Sequence, residues 1–174
     1  MTISRGLPAL LLLGAAGIFL PGHSPYAQWY AYRSKHLVVV TDEARPEAYA
    51  AAAAVASKVA SRWPESRAVA AVAKTPAEVV KLLRSGQLQV GLLPASVARD
   101  ASEGRGSFAS EGKVPLRAIA TVAGDLLVVL ESYPRDKAWT LAEAVASAGG
   151  DLAGTGPGIP FHPGALDYYG GRKG

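Results

Sequence analysis

Ser96, His162 and an aspartate, Asp125 or Asp167, are the residues of this chain that could assemble into a nucleophilic site. A serine needs a neighbouring base and a sharp turn that exposes its oxygen. No serine here stands in a G-x-S-x-G pattern, so the chain is not expected to be an enzyme. His162 lies between prolines in Pro160-Phe161-His162-Pro163-Gly164 and reads as a structural residue of a tight turn. The run Gly154-Thr155-Gly156-Pro157-Gly158 has the glycines of a phosphate loop. It lacks the following Gly-Lys-Ser/Thr and an early strand and helix around it, so it reads as a linker. The chain has no cysteine, and its other histidines, His23 and His36, sit near the amino terminus. No metal-ligand spacing results, and no cofactor or metal is expected. The remaining polar candidates are binding groups rather than reacting ones: Thr41, Asp42, Ser96 and Asp125.

Two sets of aromatic residues could meet a partner, since Trp and Tyr are enriched at such surfaces. Trp139, Tyr168 and Tyr169 form one set. Trp29, Tyr30 and Tyr32, followed by Arg33 and Lys35, form the other and suit a membrane interface. They follow an apolar, uncharged run at 7–20 with Arg5 just before it. This run is shorter than the roughly 20 residues of a full span and has the character of a signal-peptide core. Its cleavage site is poor, because Pro25 falls where a small residue is wanted. Residues 1–35 therefore read as a signal anchor that stays attached, with cleavage as the other outcome. The rest of the chain is then expected in the periplasm, tethered to the inner membrane of a bacterium.

These groups need a scaffold to position them. With 174 residues, 49% hydrophobic and 18% charged, the chain can bury a real core. Its net charge of +4 is dispersed without a basic block, so nucleic acid is not an expected partner. His36–Thr41 reads as a first strand. Pro46 opens a helix to about Trp63, with Tyr49, Ala52, Ala56, Val59 and Trp63 on one stripe. Arg67–Ala73 reads as a second strand. Thr75, Pro76 and Glu78 give the next helix a cap, a first residue and a capping-box partner. Gly86 ends that helix. Leu88–Leu93 is a strand covered on both faces. Pro94 stops it, and Ser96 is placed to cap the helix that follows.

Further on, 100–113 reads as a polar connection. Leu116–Val122 and Leu126–Glu131 are one bent strand or two short ones, broken at Gly124-Asp125. Residues 133–137 read as a surface turn, and Thr140-Leu141-Ala142-Glu143 as the start of a helix ending at Gly149-Gly150. Residues 151–174 are a Gly- and Pro-rich close. Strands alternating with helices predict an α/β lobe over 36–174 with a mostly parallel sheet flanked by helices. In open α/β sheets ligands sit at the carboxyl ends of the strands. Thr41, Asp42 and Pro94-Ala95-Ser96 are therefore expected near any ligand.

The order of these elements resembles the TAXI-type solute receptors of TRAP transporters, which are periplasmic binding proteins. Leu82-Leu83-Arg84-Ser85-Gly86-Gln87-Leu88-Gln89-Val90-Gly91 resembles their LL..GE.DLG passage from helix to strand. Ala101, Glu103-Gly104-Arg105-Gly106-Ser107-Phe108 and then Pro115-Leu116-Arg117-Ala118-Ile119-Ala120 follow the A..G.G.F and PLRALA segments. Trp139-Thr140-Leu141-Ala142-Glu143 resembles their SLADL passage. Pro160-Phe161-His162-Pro163-Gly164-Ala165 with Tyr168-Tyr169 resembles the P.HPGA..YY close, the most specific of these matches.

The resemblance implies two α/β lobes closing on a small carboxylate or amino acid. Between 36 and 174 this chain carries the pattern of one lobe, preceded by a hydrophobic helix. It also departs at the ligand turns. Thr41-Asp42-Glu43-Ala44-Arg45-Pro46 has no glycine, and its two carboxylates would repel an anion by on the order of 1 kcal/mol each at a wet surface. Pro94-Ala95 stands where the family tends to place a polar pair. Two functions are consistent with this pattern. One is a membrane-tethered lobe repurposed as an accessory, protein-binding subunit of an inner-membrane complex. The other is a working small-solute receptor.

Overall fold

The computed structural model describes residues 28, 31–33, 35–150 and 158–172. The apolar run at 7–20, Trp29, Tyr30 and the glycine-rich link at 151–157 lie outside the described residues. The chain divides into two units, Met1–Ser34 and Lys35–Gly174. Of the aromatic candidates in the first, Tyr32 is described, and it is 39% exposed.

In the second unit the elements run β1 (Val38–Asp42), α1 (Pro46–Arg62), β2 (Val69–Ala73), α2 (Pro76–Arg84), β3 (Val90–Leu93), α3 (Ala95–Glu103), β4 (Leu116–Val122), β5 (Asp125–Leu130), α4 (Arg135–Ala146) and α5 (Pro163–Tyr169). The strands form one sheet in the order β2-β1-β3-β5-β4. β1 pairs in parallel with β2 and β3, while β5 runs antiparallel to both its neighbours. Four strands thus point one way in a mixed sheet with two parallel and two antiparallel pairings, flanked by helices as expected of an α/β lobe. The β4–β5 region is two strands, joined by a hairpin whose loop is Ala123-Gly124. Both loop residues have positive φ, 50° and 86°, as a two-residue turn between twisted strands requires.

Side chains alternate across the pleat and build a core on each face. Val39 points to the layer of α1 and α4, with Val55, Val59, Leu141 and Val145. Val38 and Val40 point to the layer of α2 and α3, with Val79, Leu83, Ala98 and Phe108. α1 is alanine-rich and approaches the sheet closely through Ala48, Ala52 and Ala56. The expected stripe is corrected at its start: Ala48 takes the buried place four residues before Ala52, and Tyr49 turns outward at 45% exposure. α2 comes equally close at Gly91, where a Cβ would lie 2.9 Å from Leu83 Cδ1.

Two predicted helix starts are also corrected. α3 begins at Ala95 behind Pro94, whose carbonyl accepts from Ala98 N, so Ser96 is already inside the helix and caps nothing. α4 begins at Arg135 behind Pro134, not at Thr140. Thr140 sits mid-helix and donates its hydroxyl to the Asp136 carbonyl, 3.1 Å away. In both cases a proline in extended conformation sets the boundary earlier than the hydroxyl residue. The cap at Thr75 is present: its Oγ1 accepts from Glu78 N at 3.1 Å. The 100–113 connection is not wholly polar, since a short 3₁₀ turn at Gly106–Phe108 buries Phe108.

The close of the chain completes the sheet edge. Ala118 on β4 exchanges backbone hydrogen bonds with Pro160 O and His162 N at 2.9 and 2.8 Å. His162 then caps α5: its Nδ1 accepts from Gly164 N at 3.1 Å. Nε2 therefore carries the ring proton and donates to Tyr133 O at 2.9 Å.

Candidate functional site

Because β1 and β3 are parallel, Thr41-Asp42 and Pro94-Ala95-Ser96 come to the same edge of the sheet. Leu126 pairs with Leu93, and Asp125 precedes it, so the opening residue of β5 arrives at that edge too. The sheet thus gathers all four ligand candidates, Thr41, Asp42, Ser96 and Asp125, from three separate stretches of chain.

The side chains differ in what they offer. Thr41 is fully buried, and its hydroxyl has no hydrogen-bond partner. Asp42 is 1% exposed. Ser96 is exposed in the first turn of α3. Asp125 is half-buried, and burial pushes its carboxyl above the usual range while the Arg45 guanidinium pulls it back.

Sequence reasoning missed the residue that organises them. Arg45 donates from Nε and Nη2 to Asp42 Oδ2 at 2.9 and 2.5 Å, and from Nη1 to Asp125 Oδ2 at 2.5 Å. One guanidinium therefore joins the end of β1 to the hairpin after β4. A planar fork with five donors suits this bridging, and a lysine could not reproduce it. The contact with Asp42, three positions away, was visible in the turn sequence. The contact with Asp125, eighty positions away, was not. The expected pair of unopposed carboxylates at this turn is corrected accordingly: Asp42 is neutralised within its own turn.

The helices that start here add partial positive charge. α1 opens behind Arg45 and α3 behind Pro94, and neither has a side-chain cap on its first N–H groups. At α1 Pro46 has no N–H, and Ala48 and Tyr49 donate theirs to the Arg45 carbonyl; the uncapped N–H groups that open α3, with the helix dipole, favour an anion. α2, the outer helix starting at this edge, is closed by Thr75. The two uncapped starts belong to the strands that carry the candidate residues. Around them the acidic side chains Asp42, Glu43, Glu47 and Asp125 outnumber Arg45 and Lys74. The arrangement offers N–H donors for a carboxylate and carboxylates for a cationic group.

The aromatic candidates lie elsewhere. Trp139 and Tyr168 meet edge-to-face at 5.4 Å, and Tyr168 and Tyr169 at 5.0 Å. Trp139 Nε1 donates to Arg172 O at 2.8 Å. All three are half-buried. They pin α5 onto α4, so much of their surface is spent within the lobe. Both ring nitrogens of His162 are likewise engaged, which leaves neither for Ser96. Among the described residues there is no group of three or more His, Asp or Glu suited to a metal ion, and no helix long and apolar enough to cross a membrane.

A family model described as NMT1-like matches residues 41–134, over half of the chain. The match begins at Thr41, ends at Pro134 and contains the whole strand-edge cluster. No curated protein matches this chain.

Proposed function

Since this chain belongs to the NMT1-like family of periplasmic-binding-protein-like proteins, we propose that it is a solute-binding lobe for a small amino-acid-like zwitterion. The observation that carries this reading is the pairing of opposite needs at one strand edge. The uncapped start of α3 offers N–H groups to a carboxylate, while Asp125, sharing Arg45 with the buried Asp42, leaves surplus negative charge for an ammonium group. A dicarboxylate would satisfy the N–H groups and be repelled by the rest. The exposed Ser96 hydroxyl supplies a further donor or acceptor. The lobe presents these groups on one wall.

The order of motifs supports a narrower kinship with the TAXI-type receptors of TRAP transporters. The apolar run at 7–20 supports a periplasmic position with the lobe tethered to the inner membrane. An accessory role within a membrane complex is the alternative use of the same tether. Thermal-shift and calorimetric titrations with amino acids, betaines and dicarboxylates test the binding reading. A zwitterion is expected to raise the melting temperature, and Arg45→Gln to remove that rise. No response to any of these at millimolar concentration would leave the accessory role as the better account.

A further inference from the structure

The sheet has two edges, and the chain treats them differently. Along β4 its own close is laid down, with Ala118 bonded to Pro160 O and His162 N. β2 is the other edge strand. Val69 N donates to Leu37 O, and Glu43 N donates to Ala73 O, so Val69, Ala71 and Ala73 turn their backbone groups toward β1. Ala70 and Val72 turn theirs outward, where they have no backbone partner among the described residues. Just past the strand, Lys74 N donates to Glu78 Oε2 at 2.9 Å. Edge strands are commonly guarded by a charge, a proline or a bulge. Val69-Ala70-Ala71-Val72-Ala73 carries none of these, and Val72 is 50% exposed. α1 packs over β1 and β2 and, on one flank, against α4. Helical spacing gathers its charges, Glu47, Lys58 and Arg62, toward that flank, where Arg62 pairs with Glu143. The flank on the β2 side carries Tyr49, Ala53 and Ala60.

We propose that β2 pairs antiparallel with β2 of a second copy of this chain, so that the two sheets become one. The strand itself sets the register. Overlap along its whole length puts a two-fold axis at Ala71 and brings Val69 opposite the partner's Ala73 and Ala70 opposite the partner's Val72. Ala70 and Val72 then exchange both backbone bonds with the partner's Val72 and Ala70, and the outward N–H and C=O groups of both residues are satisfied. The charges flanking the strand also favour a copy of itself as the occupant. In this register Lys74 falls opposite the partner's Ala68 and Arg67 opposite the partner's Thr75, so no like charges meet. The uncharged flank of α1 comes alongside its own counterpart, with small residues that allow a close approach. The two-fold axis crosses the sheet, so the carboxyl edges of the two copies point opposite ways and stay open. The inference therefore stands or falls separately from the solute reading.

Sedimentation of the full-length protein in detergent tests this first. With rising concentration the protein mass is expected to approach twice the 17.9 kDa of one chain. Val72→Lys places a guard charge at an exposed position and should weaken the association about tenfold, with the circular dichroism of the lobe unchanged. Ala70→Pro removes an outward N–H that a single copy does not use, and should act the same way. The chain has no cysteine, so one introduced thiol reports the register. At the two-fold axis the Ala71 Cα atoms would stand about 4.5 Å apart, within reach of a disulfide. Ala71→Cys is expected to oxidise to a covalent dimer several-fold faster than Ala44→Cys, which is exposed at the carboxyl edge. This comparison decides even if the Lys or Pro variant fails to fold. Protein that stays monomeric at every concentration overturns the proposal. Association through the apolar run at 7–20 instead would survive both edge variants and link the two cysteines equally, and that result overturns it too. Either result leaves the solute titration standing.

Discussion

Arg45 shows how one side chain can decide the character of a strand edge. It draws two carboxylates together that would otherwise repel, and one of them is almost fully buried. Removing it strands both. Arg45→Ala is expected to cost about 2–3 kcal/mol of stability, below the extreme for a fully buried pair because the guanidinium keeps some water contact; urea denaturation at neutral pH measures it. His162 makes the second prediction. Burial holds its imidazole below the usual histidine pKa of 6.5, with its proton donated to the Tyr133 carbonyl. The unfolded chain then takes up the proton first. Stability contributed by neutral His162 is present above about pH 6.5 and is lost as pH falls through and below that value. Urea midpoints should fall between about pH 7.5 and 5.5, and His162→Ala should flatten that dependence while losing about 2 kcal/mol at the higher pH, from two buried hydrogen bonds.

At the scale of elements, the docking of α5 on α4 depends on one position. A Cβ at Gly164 would lie 2.1 Å from the Arg135 carbonyl oxygen and 2.9 Å from the Ala138 Cβ. Neither is the flexible end of a side chain, so the helices must separate. Gly164→Ala is expected to cost about 3 kcal/mol and to weaken the near-ultraviolet signal of Trp139 and Tyr168. Far-ultraviolet circular dichroism should change little, because each helix can persist. Helix starts were legible where a hydroxyl cap, a proline and an acidic partner coincided, as at Thr75-Pro76-Glu78. They were misread at Ser96 and Thr140, where the preceding Pro94 and Pro134 set the boundary. A hydroxyl residue has the chemistry of a cap wherever it stands, but its backbone must also leave the helix there, and that depends on its neighbours.

For the whole molecule, the two hydrophobic clusters flank one sheet and share every strand between them. Neither can be lost while the other keeps its sheet surface. Residues 35–172 are therefore expected to unfold in a single transition, with circular dichroism and the fluorescence of Trp63 and Trp139 falling on one curve in urea. Separate curves would mean that the α1 and α4 layer opens on its own.

Local chemistry in the sequence determined the alternation of strands and helices, the helix end at Gly86 and the helix start at Thr75. These follow from backbone preference and from periodicity, which act over a few residues. The tertiary structure alone decided that β5 lies between β3 and β4, that Arg45 reaches Asp125, and that Thr41 is buried while Ser96 is exposed. Those facts depend on contacts between residues far apart in the chain. Many alternative pairings satisfy the same local rules, and only the packing of the whole sheet selects among them.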